Sequence, residues 1–149
     1  MSTHPSGDGY GLSRFVDAQA PVYESALAEL RRGRKTGHWM WFIFPQAAGL
    51  GLSAMSRRYA VEDLDEARAY LAHPVLGARL RACAEAVLAV QGRTATEILG
   101  SPDDLKLRSS MTLFAAVSAA GSVFERVLDK YYDAQPDAAT LRLLGLETL

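Results

Sequence analysis

The chain has 149 residues, 49% of them apolar, and sets 16 Lys and Arg against 17 Asp and Glu for a net charge of −1. That length supports one domain with its own core, and so even a charge balance does not suit a sequence-independent nucleic-acid binder; nucleic acid is not an expected partner. No run of about 18 apolar residues could cross a bilayer, no basic stretch leads into an apolar one as a secretion signal, and the lone Cys83 has no disulfide partner in the chain, so a soluble, cytoplasmic protein is expected.

Residues 1–11 are polar and rich in Gly, Ser and His; they read as a flexible tail, leaving residues 12–149 as a single domain. Leu12, Phe15, Val16 and Ala20 recur at helical spacing, and Pro21 opens a second helix carrying Val22, Tyr23, Ala26, Leu27 and Leu30, ended by Gly33 and Gly37. Arg31, Arg32, Arg34 and Lys35 gather at its C-terminus. The helix dipole favours cations there and disfavours an anionic ligand.

The stretch His38-Trp39-Met40-Trp41-Phe42-Ile43-Phe44-Pro45-Gln46 holds both tryptophans and two of the five phenylalanines. Its composition suits a strand and its surroundings suit a helical turn, and periodicity does not decide between them over so few residues. Core burial is the plain fate of Phe42, Ile43 and Phe44. The indoles of Trp39 and Trp41 need partners for their N–H groups, and with His38 and Gln46 alongside they can wall a pocket for a flat ring. In the following loop Gly49 and Gly51 permit a close backbone approach, but no Gly-Lys-Ser/Thr follows and there is no P-loop.

Caps mark out the rest of the chain. Ser53 can start a short helix through Arg57, Arg58 and Tyr59, and Asp63 with Glu66 resembles a capping pair ahead of Leu64, Ala67, Tyr70 and Leu71. His73-Pro74 leads into a long apolar helix containing Cys83, which reads as core filler, and Gly92 closes it. Thr94 with Glu97 is a full capping box, Ser122 with Glu125 is another, and Asp137 caps a last helix from Ala138 to Leu144. The expected fold is mainly α: a single compact multihelical domain of seven to nine short helices, with at most one or two short strands.

Residues Ser101 to Phe114 carry more polar chemistry than packing needs. Ser101 is placed as N-cap and Pro102 at the first helical position, Asp103 and Asp104 complement the dipole, and Lys106, Arg108, Ser109 and Ser110 precede an apolar run. The plain reading is a capped helix with ion pairs from Asp103 to Lys106 and from Asp104 to Arg108. The functional reading is a carboxylate-plus-cation constellation.

Other chemistries lack their signatures. His4, His38 and His73 are scattered without metal-ligand spacing, no nucleophile elbow is present, and no dinucleotide fingerprint occurs, so no metal and no cofactor is expected. The aromatic segment and the charged helix together suit a nucleotide or another phosphorylated riboside. An indole can stack a base, Lys106 and Arg108 can hold phosphate, and a carboxylate can activate water or stabilise developing positive charge.

The segments His38 to Gln46, Glu66-Ala67-Arg68-Ala69-Tyr70-Leu71, Ala72-His73-Pro74-Val75-Leu76-Gly77 and Ser101 to Phe114 closely resemble the family catalogued as domain of unknown function 1810. More distantly, the order of elements is similar to the NADAR (NAD and ADP-ribose) superfamily of mostly helical proteins. That likeness implies an ADP-ribose-like ligand and cleavage of an N-glycosidic bond. It would match Gln46 to a glutamine in the superfamily's aromatic motif, while the glutamate before that glutamine has no counterpart in Trp41-Phe42-Ile43-Phe44. The expectation is a pocket in which Asp104 or Asp103 is catalytic and His38, Trp39, Trp41, Gln46, Lys106, Arg108 and Ser109 bind a small nucleotide or ADP-ribose-like ligand. The alternatives are a non-catalytic module in which the same residues form a structural network, and a protein-protein adaptor with both tryptophans exposed.

Overall fold

The computed structural model describes residues 10–146, so most of the expected tail lies outside the described residues. Ten helices follow one another: α1 (Ser13–Gln19), α2 (Tyr23–Arg32), α3 (Met40–Ile43), α4 (Ala54–Arg58), α5 (Leu64–Ala72), α6 (Leu76–Ala89), α7 (Ala95–Leu99), α8 (Asp103–Ala115), α9 (Val123–Tyr131) and α10 (Ala138–Leu143). The mainly α class is as expected, with slightly more helices, because the aromatic stretch forms one turn of its own. Among the described residues there is no strand; an isolated parallel bridge joins Ala47 to Val61. No helix among the described residues is long and apolar enough to cross a membrane.

Four helices make the centre. α5 and α9 each pack against both α6 and α8, while α2 lies on α6, and α7 and α10 lie on α8. A run of aromatic contacts threads them: Phe15 meets Tyr70 at 5.2 Å, Tyr70 meets Phe114 at 5.3 Å and Phe114 meets Phe124 at 5.9 Å. Each such pair adds about 0.5–1.5 kcal/mol to the burial of its rings. The close α5–α6 corner depends on Gly77, where a Cβ would stand 2.1 Å from the Leu71 carbonyl oxygen.

The caps act as the sequence indicates, with instructive exceptions. Ser53, Asp63, Thr94, Ser122 and Asp137 all accept from backbone N–H groups in the first turns of their helices, and Thr94 with Glu97 completes the reciprocal box. Glu125 instead accepts from the Gly121 amide. Glu66 reaches the Glu62 amide and pairs with Arg14 at 3.2 Å, so it ties two distant segments together. Arg14 also donates to the Tyr10, Gly11, Arg58 and Ala60 carbonyls, which holds Tyr10 and Gly11 in place. α6 starts on an unanticipated cap, His73 Nδ1, which accepts from the Val75 and Leu76 amides.

The interior holds polar groups that satisfy one another. Gln19 donates to the Phe42 carbonyl and the Tyr70 hydroxyl, and its own carbonyl accepts from Arg79. Cys83 lies in the core, where burial pushes its thiol up to about 12 and leaves it unreactive at neutral pH.

Candidate functional site

The aromatic and charged segments meet, and they do so through lysines. Pro45 ends the α3 turn, and the chain then runs extended beside residue 61: Val61 donates to the Gln46 carbonyl at 2.9 Å and Ala48 donates to the Val61 carbonyl at 2.8 Å. These two bonds hold the backbone of residues 46–48 in place. From α8, Lys106 places its ammonium 4.6 Å from the centre of the Trp41 ring, and 3.4 Å from Asp103 one turn back. Lys35, in the loop after α2, reaches Asp103 at 2.9 Å while lying 5.0 Å from the Trp39 ring centre.

Between these parts lies a cavity of about 360 Å³, within the range of small-ligand sites. Trp41, Gln46, Lys106 and Ser109 all line it, so four of the residues expected to bind ligand share one space. Ser109 can be buried on the cavity side of α8 because its hydroxyl donates to the Leu105 carbonyl one turn earlier. Asp137 enters the wall from the start of α10, with one carboxylate oxygen accepting from both the Thr140 amide and hydroxyl.

The other expected site residues are placed elsewhere. Trp39 is 1% exposed, and its indole N–H donates to Glu29 inside the protein; this corrects the adaptor reading that required both rings in solvent. His38 is exposed and is not among the residues lining the cavity. Asp103 bridges two lysines and thereby joins the loop after α2 to the start of α8. The carboxylate of Asp104 accepts from the Thr96 hydroxyl at 2.6 Å, tying α8 to α7, and its backbone carbonyl accepts from the Tyr132 hydroxyl. Neither aspartate is among the cavity-lining residues.

Arg108 does not pair with Asp104: its Nε donates to the Gln135 carbonyl at 2.9 Å, and its guanidinium stands 5.8 Å from the Tyr132 ring centre. The reason lies in the start of the helix. α8 begins at Asp103, with Pro102 outside it and no cap from Ser101, and Asp104 is drawn toward Thr96. Tyr132 packs half-buried against this corner; burial and then the Asp104 charge raise its phenol well above its ordinary range, so it remains a donor.

Residues that sequence reading passed over complete the picture. Glu29 is buried and accepts from the Thr36 and Gly37 amides and from Trp39 Nε1, all within 2.8–2.9 Å. Burial opposes its ionisation, but the hydrogen bonds from Gly37, Thr36 and Trp39 outweigh it and hold the carboxyl below its ordinary value. Gly37 is required for this approach, since a Cβ there would stand 2.8 Å from Trp39 Cδ1. Leu52 and Leu105 line the cavity and are 81% and 57% exposed. Only the breaks in apolar periodicity at these two leucines could have pointed to them.

The geometry defines a mainly helical fold with a cleft in which an indole, an ammonium, a carboxamide and a carboxylate stand among apolar side chains. The chain belongs to the family described as protein of unknown function DUF1810, whose model matches residues 9–144. It is 54% identical to the conserved hypothetical protein Rv1873 from Mycobacterium tuberculosis, known from a crystal structure at 1.38 Å. The likeness covers 94% of this chain and 100% of that one, with a TM-score of 0.91. No curated protein matches the chain.

Proposed function

We propose that the cleft between residues 41–53 and α8 binds a phosphorylated riboside, of the nucleotide or ADP-ribose type. The observation that carries this reading is the shared cavity of Trp41, Gln46, Lys106 and Ser109. It brings an aromatic ring, amide and hydroxyl groups for sugar oxygens, and a cation for phosphate within one small-molecule volume. The resemblance in element order to the NADAR superfamily, read from the sequence and part of this proposal, would imply the same ligand class. Cleavage of the N-glycosidic bond is the catalytic extension of this reading. Asp104 is engaged by Thr96 and Asp103 by two lysines, and neither lines the cavity; Asp137 does, and although one of its oxygens caps α10 through Thr140, its other oxygen is the candidate to orient water in the cleft. Those engagements favour the second reading, a binding module without turnover.

A thermal-shift series on the full chain tests the proposal with ADP-ribose, NAD, ribose phosphates, common nucleotides and riboflavin precursors. A ligand that binds only the folded state raises Tm. A rise with a riboside phosphate, lost in Lys106→Ala, is the expected result. The absence of any shift across the series at millimolar ligand overturns the reading. Release of free base from a ligand that binds, abolished in Asp137→Asn, would separate the enzyme from the binding module.

A further inference from the structure

We infer, resting on the cleft reading, that the ligand is a riboside bearing a single phosphate, held with its base outward between Leu52 and Leu105 and its phosphate at Lys106. Three observations carry this.

The first is charge. Lys106 and Asp137 are the charged residues among those lining the cavity, so the wall is neutral as a whole, and Lys106 is already shared with Asp103 at 3.4 Å. One phosphate can draw the ammonium to itself. A second phosphate would have no cation of its own and would lie near the Asp137 carboxylate in a half-buried space, where like charges repel strongly.

The second is the indole. The Trp41 face that looks onto α8 is covered by the Lys106 ammonium at 4.6 Å, so a base stacked there would have to displace a cation–π contact. The third is the mouth of the cavity. Leu52 and Leu105 keep 81% and 57% of their surface in solvent, and a base seated between them removes that apolar surface from water. Asp137, on the same lining, caps α10 through one carboxylate oxygen and offers the other to the sugar hydroxyls.

Exposed leucines contribute little to folding, so Leu52→Ser with Leu105→Ser should leave Tm unchanged and make a clean probe. Titration calorimetry on the full chain would use AMP, ribose 5-phosphate and ADP-ribose. The double variant is expected to weaken AMP by at least about tenfold while leaving ribose 5-phosphate unchanged, and ADP-ribose is expected to bind the wild-type protein no more tightly than AMP. Unchanged AMP affinity in the leucine variant, or ADP-ribose binding at least about tenfold more tightly than AMP, overturns this inference while the cleft reading stands on its Lys106 dependence. If none of the three binds the wild-type protein, this inference falls, and the remaining ligands of the thermal-shift series decide the cleft reading.

Discussion

Trp39 Nε1 donates to Glu29 Oε1 across 2.9 Å in the interior, and the same oxygen accepts the Thr36 and Gly37 amides. One carboxylate thus folds the loop between α2 and α3 over itself and sets where the aromatic turn begins. Glu29→Ala leaves three donors without their acceptor and is expected to cost about 3 kcal/mol or more, read as a lower urea midpoint. Its pH dependence has a definite sign. The folded-state carboxyl titrates below its ordinary 4.5, so its stabilisation is complete above that pH and is lost as pH falls through the lower folded value. Urea midpoints measured from neutral pH downward should therefore fall more steeply below 4.5 in the wild type than in Glu29→Gln. Parallel curves would remove Glu29 from the account.

Asp103 is expected to act as a structural bridge. Its partner Lys35 keeps only 9% of its side-chain surface exposed and Asp103 keeps 19%, so water screens the pair poorly. A double-mutant cycle of Lys35→Ala and Asp103→Ala should give a coupling of about 1–3 kcal/mol that persists in high salt. A coupling near zero would mean that the loop and α8 are held by packing alone.

Asp104→Ala removes the bond to Thr96 and an acidic group in the first turn of α8. The expected loss is about 1 kcal/mol of stability, with ligand-induced shifts in Tm retained. Loss of turnover without loss of stability would return Asp104 to the chemistry of the cleft.

The two tryptophans should separate cleanly in iodide quenching. Trp39 is enclosed, whereas Trp41 is partly exposed beside the cleft, so Trp41→Phe should abolish most of the quenchable emission and Trp39→Phe should leave it. Equal quenching of both would contradict the burial of Trp39.

Ser110 lies fully buried in α8, and its hydroxyl has no hydrogen-bond partner among the described residues. Replacing an unsatisfied buried hydroxyl by a methyl removes a desolvation penalty, so Ser110→Ala is expected to be neutral or to stabilise by up to about 1 kcal/mol. A loss of more than that in a thermal melt would point to a bond that the hydroxyl makes in solution.

What the sequence made readable follows from how local each cause is. Caps such as Thr94 with Glu97 and Asp63 act within three residues and stood out from the sequence, as did the i,i+3 pairing of Asp103 with Lys106. The meeting of Lys106 with Trp41 was anticipated only as two segments that suited each other, since nothing local brings residues 41 and 106 together. Glu29 was passed over because an acid on an amphipathic helix normally faces water, and only the return of the Gly37 loop encloses it. The pairing expected of Asp104 with Arg108 gave way because Thr96 and Gln135, from neighbouring elements, offered better-placed partners.

The cleft draws its wall from residues 41–56, from α8 and from the start of α10, three stretches separated by dozens of residues. Such a surface exists only after the distant parts of the chain have docked, whereas the Glu29 loop can close early from neighbours in sequence. A ligand held there would grip the finished molecule and leave the folding transition state untouched. It should therefore slow unfolding while folding proceeds at its ligand-free rate, acting as a clasp on a completed structure.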